Sequence, residues 1–284
     1  MADNSEINIS QSLMKELTDY RLGKSCGLVF VEKYLNKNFE LFKPSPVMAL
    51  GNFFEFLCIG ANTKTGSIPH PEKTAKGELT APYKRMETQA ENFKNFIAYH
   101  GIEITSVQEK WIVDGLEGTL DFIGLPTRDI KNKDGEVLIK KGQKFICDIK
   151  ASGLLDESSR FNDFSWNLDT LSSKERLILQ PIHYKFLSKL KYGVEYPFMF
   201  LIFSNTNDYD YRSIIFNTTE EDMELHKTFI ATTAKWLKYF LKKGFEAKPD
   251  YLRCMDCPLK VNCKSYMAIP EITVFELNTN AIEK

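Results

Sequence analysis

Between Ser12 and Leu35 the apolar residues recur at helical spacing, interrupted at Gly23 and Gly27, so the pattern predicts two helices and a turn. Pro44 and Pro46 close a short loop, and a third helix is expected from Val47 to Gly60. The stretch Asn62 to Pro82 is rich in Thr, Gly, Pro and Lys and has no period, which reads as loop or insertion; helical spacing resumes from Tyr83 to Tyr99. After Gly101 the pattern shortens. The segments VQEKWIVD, EGTLDFIG and KFICDIKA are rich in β-branched and aromatic residues and predict three consecutive antiparallel strands. A polar loop from Ser152 to Asp169 leads into a helix from Ser172 to Lys191, and YPFMFLIFS and YRSIIFN read as two more strands. An amphipathic helix from Glu220 to Lys243 precedes a cysteine-bearing segment. This order of helices, strands, helix, strands and helix predicts an α/β protein whose mixed sheet is flanked by helices.

Composition narrows the class. A chain of 284 residues with 43% hydrophobic content can bury a sizeable core. Its formal net charge of -1 creates no overall field that would draw nucleic acid, so such a partner would have to meet a local basic surface. The polar, acidic N-terminus lacks the order of a secretion signal, and the most apolar run, Tyr196 to Phe203, is too short to cross a bilayer. The expectation is a cytoplasmic protein without a membrane partner. In a reducing compartment, clustered cysteines point to metal ligation rather than to disulfides.

Two groups of residues carry candidate chemistry. Asp121 lies in GTLDFIG, and Asp148 and Lys150 lie in FICDIKASG, in otherwise apolar strands. Side chains alternate along a strand, so Asp148 and Lys150 share a face while Ile149 points into the core. Cys147, beside Asp148, should point into the core as well. If the two strands are neighbours, Asp121 faces the same spot. Two carboxylates and an ammonium meeting at strand ends suit hard oxygen ligation of Mg²⁺ or Mn²⁺, with the lysine orienting or deprotonating a water that attacks phosphorus. A structural ion pair is the ordinary alternative for a D-x-K triplet.

Asp121, the strand-borne Asp148-Ile149-Lys150 and the helical Gln180-Pro181-Ile182-His183-Tyr184 together resemble the PD-(D/E)XK nucleases of the RecB-like exonuclease branch. The resemblance implies that Gln180 and Tyr184, four residues apart and on one helix face, line the active site and position the scissile strand. Pro181 would suit a position near a helix start or a bend. An upstream glycine followed by a metal ligand is matched by Gly51-Asn52-Phe53-Phe54-Glu55, with Glu55 in place of the usual histidine. The metal ligands so implied are Glu55, Asp121 and Asp148.

The second group is Cys254, Cys257 and Cys263, spaced C-x2-C-x5-C. Three thiolates do not complete a four-ligand site, so a distant fourth ligand is required. Cys26 and Cys58 are the candidates. The same resemblance extends to AddB-type helicase–nucleases and CRISPR-adaptation nucleases, whose iron–sulfur cluster takes one cysteine before the nuclease motifs and three after them. It implies a [4Fe-4S] cluster on Cys26, Cys254, Cys257 and Cys263, with zinc the less favoured occupant. Cys26 departs from the family pattern in being followed by glycine rather than proline. The implied organisation is an N-terminal helical region (1–100), a nuclease core (101–245) and a C-terminal cluster segment with a tail (246–284).

The resemblance implies a metal-dependent deoxyribonuclease acting from DNA ends or on single strands, with recombination, repair or replication proteins as partners. Other uses of the same core are a site-specific endonuclease or a nuclease-like DNA-binding or assembly module that does not cut. Lys131, Lys133, Lys140, Lys141 and Lys144, with the lysines and Arg253 around the cysteine segment, are candidate phosphate contacts. Phe161, Phe164 and Trp166 are candidates to stack on bases.

Overall fold

In the computed structural model, residues 7–60, 69–153, 155 and 174–267 are described. The aromatic candidates Phe161, Phe164 and Trp166 lie outside them. The chain divides into two compact units, Met1–Met14 with Pro44–Ala234, and Lys15–Lys43 with Lys235–Lys284. These cuts fall elsewhere than the sequence boundaries at 100/101 and 245/246.

In chain order the elements are β1 (Ile9–Ser10), α1 (Gln11–Arg21), α2 (Gly27–Phe30), α3 (Pro46–Ile59), α4 (Ala81–His100), β2 (Ile102–Val107), β3 (Lys110–Val113), β4 (Leu116–Thr119) and β5 (Phe122–Pro126). There follow β6 (Ile130–Lys131), β7 (Val137–Ile139), β8 (Phe145–Ser152), α5 (Lys174–Tyr192), β9 (Phe198–Ser204), β10 (Tyr211–Ile215), α6 (Glu220–Lys243), α7 (Tyr251–Met255) and α8 (Lys264–Met267).

The larger unit is built on a five-stranded sheet in the order β10-β9-β8-β5-β2. Only β8 and β9 run parallel in it, the remaining pairs being antiparallel, so the sheet is mixed. The long connection through α5 is what a parallel pair requires. Alternation along β8 decides which residues meet which helices. Phe145, Cys147 and Ile149 join Phe53 and Phe54 of α3 and Met86, Phe93 and Phe96 of α4 in one hydrophobic core. Asp148 and Lys150 therefore project from the opposite face. On that side Tyr184 of α5 stacks on Phe198 of β9, ring centroids 6.0 Å apart.

The expectation of three uninterrupted strands is corrected at two points. VQEKWIVD ends one strand at Val107 and begins another at Lys110, and EGTLDFIG breaks at Leu120 and Asp121. The physical reason is a bend in one long hairpin. Gln108 adopts a left-handed φ of 45°, and its N–H donates to the Asp121 carbonyl (2.8 Å), while the Leu120 N–H donates to Glu109 (3.1 Å). Pairing thus continues through the bend, but the far half of the hairpin leaves the five-stranded sheet for a three-stranded one, β1-β4-β3. Its tip is the turn Asp114-Gly115, both with positive φ, as a tight hairpin turn demands. The short β1, which pairs with β4 in parallel, escapes sequence reading because two residues carry no period. Pro181 lies inside α5 rather than near its start.

The smaller unit is helical. Tyr20 of α1 packs edge-on against Phe240 of α6 (5.0 Å), and Phe30 stacks on Phe245 (4.6 Å). The Arg21 guanidinium sits 4.1 Å from the Trp236 ring centre, a cation–π contact. Among the described residues no helix is long and apolar enough to cross a membrane.

Candidate functional site

Two sites stand out, one in each unit. In the larger unit a cavity of about 400 Å³ is lined by Asp121, Asp148, Lys150, Gln180 and Tyr184 together with Lys110, Glu117, Thr119, His183 and the N-terminal residues Ser10, Gln11 and Ser12. Five residues spread over 64 positions of sequence are brought to one concavity by the pairing of β5 with β8 and by α5 packing against β4 and β9.

Both carboxylates are nearly inaccessible, each 4% exposed, so their charges need partners. One Asp121 oxygen accepts the Ile149 N–H (2.7 Å). Asp148 is ion-paired with Lys150 through one oxygen and accepts from the Gln180 amide through the other. The Tyr184 hydroxyl donates to the Thr119 carbonyl (2.7 Å), which fixes α5 against β4. Gly118 makes this approach feasible, since a Cβ there would collide with the Tyr184 ring. Burial pushes the Lys150 ammonium toward neutrality, but Asp148, Asp121 and, from farther off, Glu55 more than offset it, and the lysine stays firmly protonated. Burial, with the field of both aspartates added, pushes the Tyr184 hydroxyl far above its ordinary range, so it is a donor and not a base.

Glu55 does not line the cavity. It is buried on α3, and its Oε1 accepts from the Gln108 Nε2 at 2.6 Å. Gln108 carried no signal in the sequence, because an isolated glutamine in a strand-like segment has no pattern to betray it. His183 is a second residue that sequence reading passed over. Its Nε2 lies 3.0 Å from the Glu117 carbonyl, which can only accept, so that nitrogen carries the proton. Its Nδ1 then accepts from His226 Nε2 at 3.3 Å. Burial lowers both rings, His183 to about 4 and His226, with His183 beside it, to about 3, and both are neutral near pH 7.

Oxygen donors buried in one concavity suit a hard divalent cation such as Mg²⁺ or Mn²⁺. Among the described residues, no three His, Cys, Asp or Glu side chains stand in ready coordinating geometry, and Asp148 is neutralised by Lys150.

In the smaller unit Cys26, Cys254, Cys257 and Cys263 all line a second cavity, of about 160 Å³. All four are free thiols, and such a donor set fits a soft metal centre. Burial pushes the Cys257 thiol up, and its three cysteine neighbours add to this against a backbone hydrogen bond from Leu259. Asp250 caps α7 by accepting the Arg253 N–H (3.1 Å), and Arg253 reaches the Gly23 carbonyl (2.7 Å). The glycine after Cys26 has a local cause. The Gly27 N–H donates to the Glu246 carbonyl (3.2 Å), and a Cβ at this position would run into that same carbonyl; proline would lose the donor and collide. Cys58 packs instead against the core of the larger unit, where burial, with Glu55 adding to it, pushes its thiol far up. Cys147 is fully buried in that core. The lysines at 131, 133, 140, 141 and 144 are exposed on and beside the β6–β7 hairpin.

The class so defined is a mixed α/β sheet flanked by helices, with a polar cavity beside its parallel strand pair. The crystal structure of a protein from Eubacterium rectale named "putative exonuclease" shares this fold: TM-score 0.56 and 18% identity over 98% of this chain and 94% of that one. A second solved chain overlaps at TM-score 0.34 and 11% identity over 93% of this chain and 89% of that one. No protein family and no curated protein matches the chain.

Proposed function

We propose that the chain is a metal-dependent DNA exonuclease of the RecB-like PD-(D/E)XK kind, with a structural [4Fe-4S] cluster in its smaller unit. The observation that carries the reading is the convergence of Asp121, Asp148, Lys150, Gln180 and Tyr184 on one cavity. The shared fold with a protein named as an exonuclease supports it in coarser terms.

Asp121 and Asp148 would hold Mg²⁺ or Mn²⁺, with Glu55, which does not line the cavity, the third ligand that the resemblance implies. Such an ion supplies positive charge where a phosphodiester gains negative charge during hydrolysis. The chain's own residues do the rest. Lys150, kept protonated by its carboxylate neighbours, donates hydrogen bonds and adds positive charge where the attacking water and the phosphate oxygens must lie. Gln180 holds Asp148 by a side-chain amide, and Tyr184 locks α5 in register with β4, so the two motif residues act through the groups they touch as much as on the strand. The exposed lysines of the β6–β7 hairpin would meet phosphates without reading sequence. The four thiols would hold the cluster, tying 15–43 to 235–267 within the smaller unit.

The test is digestion of end-labelled linear and covalently closed circular DNA with Mn²⁺. Nucleotide release from linear DNA alone is expected, and the Lys150→Ala variant should bind DNA without cutting it. Equal attack on circles would replace the exonuclease by an endonuclease; no release from either substrate would end the proposal of cutting.

A further inference from the structure

The bend that separates β2 from β3 is held by Gln108, a residue that no motif points to. It is 5% exposed and has a φ of 45°, a left-handed backbone that a residue with a long side chain adopts only under strain. Conformations of this kind persist where the surroundings over-determine them. Here they do so twice. The Gln108 backbone N–H donates to the Asp121 carbonyl at 2.8 Å, and its side-chain Nε2 donates to Glu55 Oε1 at 2.6 Å. Glu55 belongs to α3, whereas Asp121 leads into β5, so one residue ties together the two elements that bear these carboxylates. The amide is chemically suited to this. It donates to a carboxylate without adding charge.

We propose that Gln108 is a positioning residue for the metal site: it sets the orientation of the Glu55 carboxylate and its distance from Asp121, and the strained backbone is the means. The inference rests on the reading of Glu55, Asp121 and Asp148 as metal ligands. Outer contacts of this type typically change metal affinity by about 10–100-fold when removed.

The test uses the whole chain and Mn²⁺ alone, without DNA, followed by titration of free Mn²⁺ by its electron paramagnetic resonance signal, with thermal melting measured in parallel. Gln108→Asn is the informative variant. Asparagine tolerates the left-handed backbone better than glutamine but is one methylene too short to reach Glu55. A positioning role predicts a Tm unchanged or raised together with Mn²⁺ affinity weakened about tenfold or more. A merely structural role predicts that affinity does not move. Gln108→Met, of equal length but without a donor, should weaken affinity similarly. In a Glu55→Ala background Gln108→Asn should produce no further loss, because its partner is gone. Unchanged Mn²⁺ affinity in a folded Gln108→Asn protein overturns the inference and leaves the nuclease reading standing. Should the wild-type protein itself bind no Mn²⁺, the metal-site reading falls, and this inference falls with it. If Gln108→Met does not fold, the asparagine variant decides alone.

Discussion

The two cavities solve the problem of holding reactive side chains in opposite ways. In the larger unit the carboxylates are pinned by the regular structure: Asp121 accepts from the backbone of β8, and Asp148 is gripped by Lys150 on its own strand and by Gln180 from α5. In the smaller unit the four thiols hang on short helices and turns. Their surroundings are held by scattered contacts such as Arg253 to Gly23 and Lys248 to the Tyr20 carbonyl (2.6 Å). The first arrangement is preorganised and owes its geometry to the sheet. The second has little regular structure of its own to hold it, so a bound metal centre would contribute a large share of its stability.

The sharpest way to break this comparison is to remove the pinned carboxylate. Asp148→Asn keeps the shape and the contact with Gln180 but removes the charge that pairs with Lys150, so some loss of melting temperature is expected, while nuclease turnover of the folded variant should fall by a factor of about 10³ or more. Measured well below its Tm, the variant should show a loss of kcat far larger than any loss of folded protein. A variant that retained more than a tenth of wild-type turnover would show that the sheet-borne site is not where cutting occurs.

The next effect falls on stability instead. Cys257→Ala is expected to destabilise the smaller unit by several kcal/mol, bleach any cluster absorbance and raise proteolytic nicking in 235–267, whereas the same change at Cys58 or Cys147 should leave absorbance intact. Gly27→Ala should destabilise the same unit with every thiol in place, because its Cβ meets the Glu246 carbonyl. If Cys58→Ala bleached the protein and Cys26→Ala did not, the assignment of the fourth ligand would be reversed.

How much of this was legible in the sequence follows the same division. Alternation in FICDIKASG placed Asp148 and Lys150 on one face and Ile149 in the core because a strand has an invariant period, and the helix from Glu220 to Lys243 was readable from its amphipathic spacing to the residue. The bend at Gln108 and Asp121 was not readable. Each half of that hairpin alternates well enough to pass for a single strand, and the kink depends on one residue's backbone angle and on pairing between positions thirteen apart. The His183–His226 pair was hidden for a related reason, since it joins two helices 43 residues apart and no local pattern encodes it.

That pair gives a smaller, pH-dependent effect. Both rings are buried and neutral when folded, lowered to about 4 and about 3 from the 6.5 of an exposed histidine. Below pH 6.5 the unfolded chain takes up protons that the folded rings refuse, so stability is fully present above that pH and declines as pH falls toward 4. The loss is on the order of 1 kcal/mol per pH unit for each ring at most. Wild type should lose several degrees of Tm between pH 7 and 5 beyond the loss in a His183→Gln/His226→Gln double variant. Parallel Tm-against-pH curves for the two proteins would show that the rings are not buried neutral.

The smallest expected effect concerns Gly51, and its sign is opposite to that at Gly27. Gly51 lies in the interior of α3, one turn before Glu55, with nothing within 4 Å of where its Cβ would stand. Glycine inside a helix costs roughly 0.5–1 kcal/mol relative to alanine, chiefly through the freedom it retains when unfolded. Packing among the described residues therefore gives no reason for glycine here, and Gly51→Ala should raise Tm by about 2–4 °C. The proposed metal-ligand role of Glu55, one turn further along the same helix, would supply a different reason. If the space is kept clear for substrate, the same variant should be more stable and yet have a raised KM for DNA, with Mn²⁺ affinity unchanged. A stabilised variant with unaltered KM would show that this glycine is incidental.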